Sequence, residues 1–221
     1  MEQNTPTLTV RRATQKDIPF LAWCNYEASS PAPGFCYWDP LLEGTNTETM
    51  KFIEAVFQAD ALAWGNVDNF FVVEEKGKSV AGASAFTMDA NDYRPLRLSH
   101  FAEVARELGW PSKTEKEFLE RYEAVWSNSK DETLAPHTSW IIECVAVAPD
   151  KRGQGIARVL LEALFEEGRR LGHSHAGISV TDGNEAAKRA YEKAGFHMYL
   201  TYGSDYFEGH FPGTVKYRLK L

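Results

Sequence analysis

The stretch Val145-Ala146-Val147-Ala148-Pro149-Asp150-Lys151-Arg152-Gly153-Gln154-Gly155-Ile156-Ala157 joins an apolar run to an amphipathic one. Upstream, Trp140 to Val147 is apolar apart from Glu143 and stops at Pro149, the pattern of a short buried strand. Downstream, Ile156 to Leu171 repeats its apolar residues at helical spacing and closes at Gly172. Between them, glycines at 153 and 155 let the backbone approach a ligand closely. The free N–H groups of a first helical turn, with the helix dipole, favour phosphate oxygens. Lys151 and Arg152 stand beside this cradle, although an ordinary tight strand-to-helix turn would use glycines as well. Two other phosphate motifs are excluded by their letters. A Walker loop needs Gly-Lys-Ser/Thr where Ile156-Ala157 follows, and a dinucleotide fingerprint needs a small residue where Arg158 stands.

Working outward, Leu8 to Arg11 alternates as a strand, and Thr14 with Asp17 reads as a capping box opening a helix toward Ala28. Prolines and glycines make Ser29 to Thr47 a long loop, and Thr49 to Leu62 has helical spacing. Phe70 to Glu75 and Ser79 to Thr87 flank the turn Lys76-Gly77-Lys78 as a hairpin. From Met88 to Thr138 the chain shows helical stretches at Phe101 to Leu108 and Glu115 to Trp126 but no strand, and reads as an insertion at about 88–138. Strands follow at Ala176 to Val180, Phe196 to Thr201 and Val215 to Leu219, with a helix at Glu185 to Ala194 stopped by Gly195. The expected fold is α+β: one domain over 1–221 with a central mixed sheet and no linker.

The 221 residues suffice for a real core, and the composition, 43% hydrophobic and 25% charged, is that of a folded globular chain. A net charge of -7 gives no overall attraction for a polyanion, so nucleic acid is not an expected partner. Three cysteines, Cys24, Cys36 and Cys144, suggest neither a disulfide framework nor a zinc site and suit a reducing cytoplasm. Met1 to Thr14 lacks the apolar core of a signal peptide, and no run of about 18 apolar residues could span a membrane. The six histidines show no ligand spacing, so no metal is expected.

Arg152-Gly153-Gln154-Gly155-Ile156-Ala157 resembles the Arg/Gln-x-x-Gly-x-Gly/Ala signature of the GNAT superfamily of N-acetyltransferases. Asn184-Glu185-Ala186-Ala187, Tyr191 and Gly195-Phe196 are similar to that family's second series in type and spacing. The resemblance implies a mostly antiparallel sheet of about six or seven strands, helices on both faces, and a V-shaped splay between the strands at 140–147 and 176–181. It implies acetyl-CoA as acyl donor. Its pyrophosphate would lie on the N–H groups of Arg152, Gly153, Gln154, Gly155, Ile156 and Ala157, and its pantetheine arm along Val145 and Val147. Asn184 would meet the pantetheine and Tyr191 the thioester end. From the residues alone, Asn184 could equally be a helix cap and Tyr191 a core residue.

Glu143 is a lone carboxylate in an apolar strand, which costs several kcal/mol unless it has a purpose or a partner. By a period of two it shares a face with Val145 and Val147 and opposes Cys144, which reads as a small buried hydrophobe. A desolvated carboxylate is suited to take a proton near neutral pH, although a salt bridge at the strand mouth would also explain it. The resemblance implies Glu143 as general base, directly or through water, and Tyr191 as general acid toward the departing thiolate. The family places its acceptor pocket in segments that correspond to Ser29–Thr47, 88–138 and Gly203–Gly213. Phe35, Tyr37, Trp38 and Asp39, with Asp205, Tyr206, Phe207, Glu208 and His210, could recognise a cationic amine there or merely pin the loops. The expected activity is acetylation of a primary amine of a small molecule by a monomer or homodimer. Acetylation of a protein N-terminus or lysine, and a non-catalytic CoA-binding domain, stay open.

Overall fold

The computed structural model describes residues 8–30, 35–209 and 211–221. Met1–Thr7, Pro31–Gly34 and His210, all read above, lie outside the described residues. The described residues form β1 (Leu8–Arg12), α1 (Ile18–Ala28), α2 (Thr49–Gln58), β2 (Phe70–Glu75), β3 (Lys78–Phe86), α3 (Phe101–Glu107), α4 (Ser112–Val125), β4 (Trp140–Val147), α5 (Ile156–Arg170), β5 (His175–Thr181), α6 (Glu185–Lys193), β6 (His197–Gly203) and β7 (Gly213–Lys220). The strands make one seven-stranded sheet in the order β1-β2-β3-β4-β5-β7-β6, antiparallel at every junction except β4–β5. No described helix is long and apolar enough to cross a membrane.

Local chemistry explains the elements. Lys76 and Gly77 both take left-handed φ, +51° and +76°, as a tight two-residue hairpin loop requires. The entry to α1 is held by Asp17, whose carboxylate accepts from the Thr14 N–H at 2.8 Å and from both Arg11 terminal nitrogens at 2.7 and 2.8 Å. The helix expected over Thr49 to Leu62 ends at Gln58. Asp60 turns left-handed, and the chain folds back so that Leu62 bridges to Leu96.

Two apolar layers sandwich the sheet. The first gathers residues of α1 through α4, including Leu21, Phe52, Phe101 and Phe118; the second gathers residues of α5 and α6, including Leu160, Phe165 and Tyr191. The 88–138 segment adds no strand. Its helices lay Phe101 and Phe118 in a stack, centroids 4.8 Å apart, with Phe118 against Phe52 of α2 at 5.1 Å.

Two irregularities of β4 position the site. Its parallel pairing with β5 covers only Trp140, Ile141 and Ile142, opposite Ala176, Gly177 and Ile178; beyond Ile142 the strands part. Facing β3, the register slips where Gly82 to Ser84 opposes Glu143 to Ala146, and Cys144 takes φ +56°. This is a bulge, and it inverts the alternation. Ile142 packs in the second layer, Cys144 and Ala146 in the first, and Val145 and Val147 in the second again. The expectation that Glu143 shares a face with Val145 and Val147, opposite Cys144, is therefore corrected: the extra residue shifts the pleat between them.

Candidate active site

Where β4 and β5 diverge, a cavity of about 930 Å³ opens, and its wall includes Glu143 and Val145 of β4 with Asn184 and Tyr191 of α6. Four residues singled out from sequence thus meet in one space. Val147 and the turn from Arg152 to Ala157 are not in that wall. Val147 packs partly buried on the second layer, and Arg152 to Gly155 lie exposed ahead of α5, with Ile156 buried beneath them.

Glu143 and Tyr191 are unengaged polar groups in an enclosed place. Neither the Glu143 carboxylate nor the Tyr191 hydroxyl makes a hydrogen bond within range to a described residue, and no described cation comes within ion-pair distance of Glu143. The salt bridge that could have explained Glu143 is absent among the described residues. Burial raises the Glu143 carboxyl to about 7, and the ammonium of Lys216 opposes that rise. Burial also holds the Tyr191 phenol well above its ordinary value, with the Glu143 and Cys144 charges adding to the effect. A carboxyl that is half ionised near neutrality and a phenol that stays protonated are suited to accept and to donate a proton. Tyr191 also packs edge-on against Phe196 and Tyr217 at 6.1 and 6.3 Å, which fixes its ring. Cys144 has its thiol pushed up to about 12, chiefly by burial, and its sulfur accepts from the Asn25 amide at 3.4 Å. Burial thus favours its thiol over the thiolate at neutral pH.

Asn184 is a helix cap: its Oδ1 accepts from the Ala187 N–H at 3.1 Å. It lines the cavity as well, so capping and exposure to a ligand are compatible.

At the glycine turn, Gly153 and Gly155 take φ of +78° and +79°. A side chain at either would meet no atom within 4 Å, so the left-handed backbone, not crowding, is what calls for glycine. The N–H groups from Gly153 to Ala157 donate to no acceptor among the described residues and are open to a ligand. The two flanking cations are already engaged. Lys151 pairs with Glu75, while Arg152 donates to Glu27 at 2.8 Å and to the Val147 carbonyl at 3.0 Å. The turn therefore offers anions mainly its backbone.

Phe35, Tyr37 and Trp38 all line the cavity; Trp38 is otherwise buried and donates to Asn25 Oδ1 at 2.9 Å, while Phe35 is 42% exposed. Asp39 serves its own loop, accepting from Cys36 N at 3.2 Å and Thr49 Oγ1 at 2.6 Å. Tyr206, Phe207 and Glu208 reach the cavity; Asp205 does not. Sequence reasoning missed Lys216, which also lines the cavity and is only 4% exposed. Its one available signal is a lysine between the apolar residues Val215 and Tyr217 in a short strand. Among the described residues no group of three or more His, Cys, Asp or Glu side chains is placed to hold a metal ion.

Comparison with known proteins bears on this arrangement. A streptothricin acetyltransferase of Streptomyces lavendulae is 42% identical over 55 residues, which is 25% of this chain and 29% of that protein. The chain thus matches less than a third of that relative's length. An N-acetyltransferase of Staphylococcus aureus superposes with a TM-score of 0.63 at 18% identity, covering 96% of this chain and all of that one. The protein yncA of Salmonella typhimurium, solved with its cofactor acetyl-CoA, superposes with a TM-score of 0.53 at 17% identity, over 97% of this chain and 94% of that one. At such identities the likeness is one of fold, here an α/β fold with one mixed sheet. The model of the acetyltransferase (GNAT) family matches residues 36–196, from the first acceptor-side loop through α6. A match over that much of the sequence makes the chain a member of the GNAT acetyltransferase family.

Proposed function

We propose that this acyltransferase moves an acetyl group from acetyl-CoA to a primary amine of a small molecule, with Glu143 as general base and Tyr191 as general acid. The observation that carries this is the pair of unbonded groups, a carboxylate of raised pKa and a protonated phenol, in the cavity where β4 and β5 part. The residues present suit the donor. The open N–H groups from Gly153 to Ala157 would take its pyrophosphate, and the β4 backbone beyond Ile142, which β5 leaves unpaired, would take the pantetheine at Val145 and Val147. Asn184 would meet the same arm. When bound, acetyl-CoA supplies an acyl thioester that a neutral amine can attack.

The chain's own residues then handle protons. An acceptor amine arrives as ammonium, and Glu143 takes its proton directly or through a water. The Tyr191 O–H gives its proton to the departing thiolate, and backbone N–H near Val145 steadies the developing oxyanion. Cys144, held as a thiol, leaves transfer direct with no acyl-enzyme. We further propose that residues 1–221 form one domain with 88–138 inserted, that it acts in the cytoplasm as a monomer or homodimer, and that it has no nucleic-acid partner.

The test is thiol release from acetyl-CoA across polyamines, aminoglycosides, amino acids and short peptides, with Tyr191→Phe as control. Release with an acceptor that the control loses supports the reading. CoA binding without release from any acceptor would replace it with a CoA-binding domain.

A further inference from the structure

Lys216 is a buried cation that the proposed chemistry does not use. It lies in mid β7, and its neighbours Val215 and Tyr217 pack into the second layer, so its side chain takes the other face of the sheet. That face is not water here. The side chain lines the cavity that holds Glu143 and is 4% exposed.

Its hydrogen bonding is incomplete. An ammonium has three donors, and among the described residues Nζ has one acceptor, the Ala135 carbonyl at 3.0 Å. No described carboxylate lies within 4 Å of it. Asp131 acts on Lys216 from a distance, but its Oδ1 is occupied by the Thr133 N–H at 2.8 Å and the Thr133 hydroxyl at 2.6 Å. Glu143 also acts on it without touching it. Burial lowers the Lys216 pKa to about 8, which still leaves it mostly charged at pH 7. A buried ammonium short of partners is costly, and a ligand carboxylate is what would complete it.

We propose that Lys216 recognises a carboxylate on the acceptor, so that the amine acetylated belongs to an amino acid or a similar amine acid. This rests on the acetyl-transfer reading above and narrows its substrate class. Glu143 faces the reacting amine and Lys216 the acceptor's carboxylate, so the two charges of a zwitterion meet opposite charges in one cavity. A diamine would instead bring a second cation toward Lys216, and like charges in a buried site are unfavourable.

Matched acceptors differing by a carboxylate test this directly: lysine against cadaverine, arginine against agmatine, ornithine against putrescine, and β-alanine against its amide. kcat/KM is read by thiol release in wild type, Lys216→Met and Lys216→Arg. The carboxylate-bearing member of the best pair should lead by roughly 10- to 100-fold in wild type, the range of a hydrogen bond to a charged group. The lead should vanish in Lys216→Met and return in part in Lys216→Arg. Equal rates, or a lead for the carboxylate-free member, would overturn the inference. The wild-type pairs decide this even if Lys216→Met fails to fold. Transfer confined to peptides would also overturn it while leaving acetyl transfer intact. Release from no acceptor at all would bring down the reading beneath it.

Discussion

Replacing Glu143 with glutamine should make the protein more stable and nearly inactive at once. The carboxyl moves from 4.5 to about 7 on folding, a shift of about 2.5 pH units, worth about 3 kcal/mol. Its sign follows from which state holds the proton. Below pH 4.5 both states are protonated and folding loses nothing. As the pH rises toward 7 the unfolded chain releases the proton while the folded one keeps it, so stability falls, and the full loss is reached above about pH 7. Glutamine removes that loss. Part of the gain is offset, because Lys216 then loses the negative charge that favours its own. A net rise of several degrees in Tm at pH 8 is expected, at roughly 2–4 °C per kcal/mol for a chain of this size. Turnover should drop roughly 100- to 10,000-fold, the contribution of a positioned base. In wild type the ionised fraction goes from about a tenth at pH 6 to about nine-tenths at pH 8, so kcat/KM should rise roughly ten-fold over that interval. Of the groups coupled to Glu143, Tyr191 and Cys144 stay protonated throughout, whereas Lys216 loses its charge at about 8 and so trims the rise toward pH 8; burial also lowers the pKa of the His137 imidazole on the same cavity wall. Calorimetry and a pH–rate series on both proteins make the comparison. A wild-type rate that is flat from pH 6 to 8, with no stabilisation of Glu143→Gln at pH 8, would refute the reasoning.

Two further perturbations probe other parts of the fold. Gly155→Ala places a side chain in open space on a left-handed backbone, a strain of roughly 1–2 kcal/mol. It should weaken CoA binding by titration calorimetry, and an unchanged affinity would remove the turn from the donor site. Asp17 is held down to about 2, first by its hydrogen bonds with Arg11. It lends about 2 kcal/mol above pH 4 that is lost as the pH falls through about 2. Asp17→Asn should be less stable than wild type at pH 7 in urea melts, with the gap mostly closed at pH 2 and gone near pH 1, and a gap that keeps its full size at pH 2 would contradict that account.

What could be seen in the residues depended on how local the signal was. The β2–β3 hairpin, the strand-turn-helix around Gly153 and the series from Asn184 to Phe196 announce themselves within a few residues, and each lies where its letters put it. The Cys144 bulge does not. Nothing about a cysteine predicts a left-handed φ, and the slip is tied to distant neighbours, as where the one Ser84 hydroxyl proton is shared between the Trp64 carbonyl at 2.9 Å and the Glu143 carbonyl at 3.2 Å. Lys216 escaped for a similar reason. In an alternating strand a lysine marks the wet face, and only the return of the 131–137 segment over β7, bringing the Ala135 carbonyl, makes that face an interior. The end of α2 was misjudged because Ala59 to Leu62 is apolar enough to extend a helix, while the bridge from Leu62 to Leu96 draws the chain away.

The short parallel seam between β4 and β5 bears on aggregation as much as on binding. A row of unpaired backbone groups on a strand invites any other chain to add itself, and proteins usually blunt such rows at the rim of a sheet. Here the bare stretch beyond Ile142 lies inside the sheet, and the outer rims are β1 and β6. A second polypeptide would have to bring a full strand, with side chains on both faces, into a gap closed at its base by three paired residues. The wedge acts as a size filter: it hinders strand addition between protein copies at this edge and leaves the exposed amides to slender molecules.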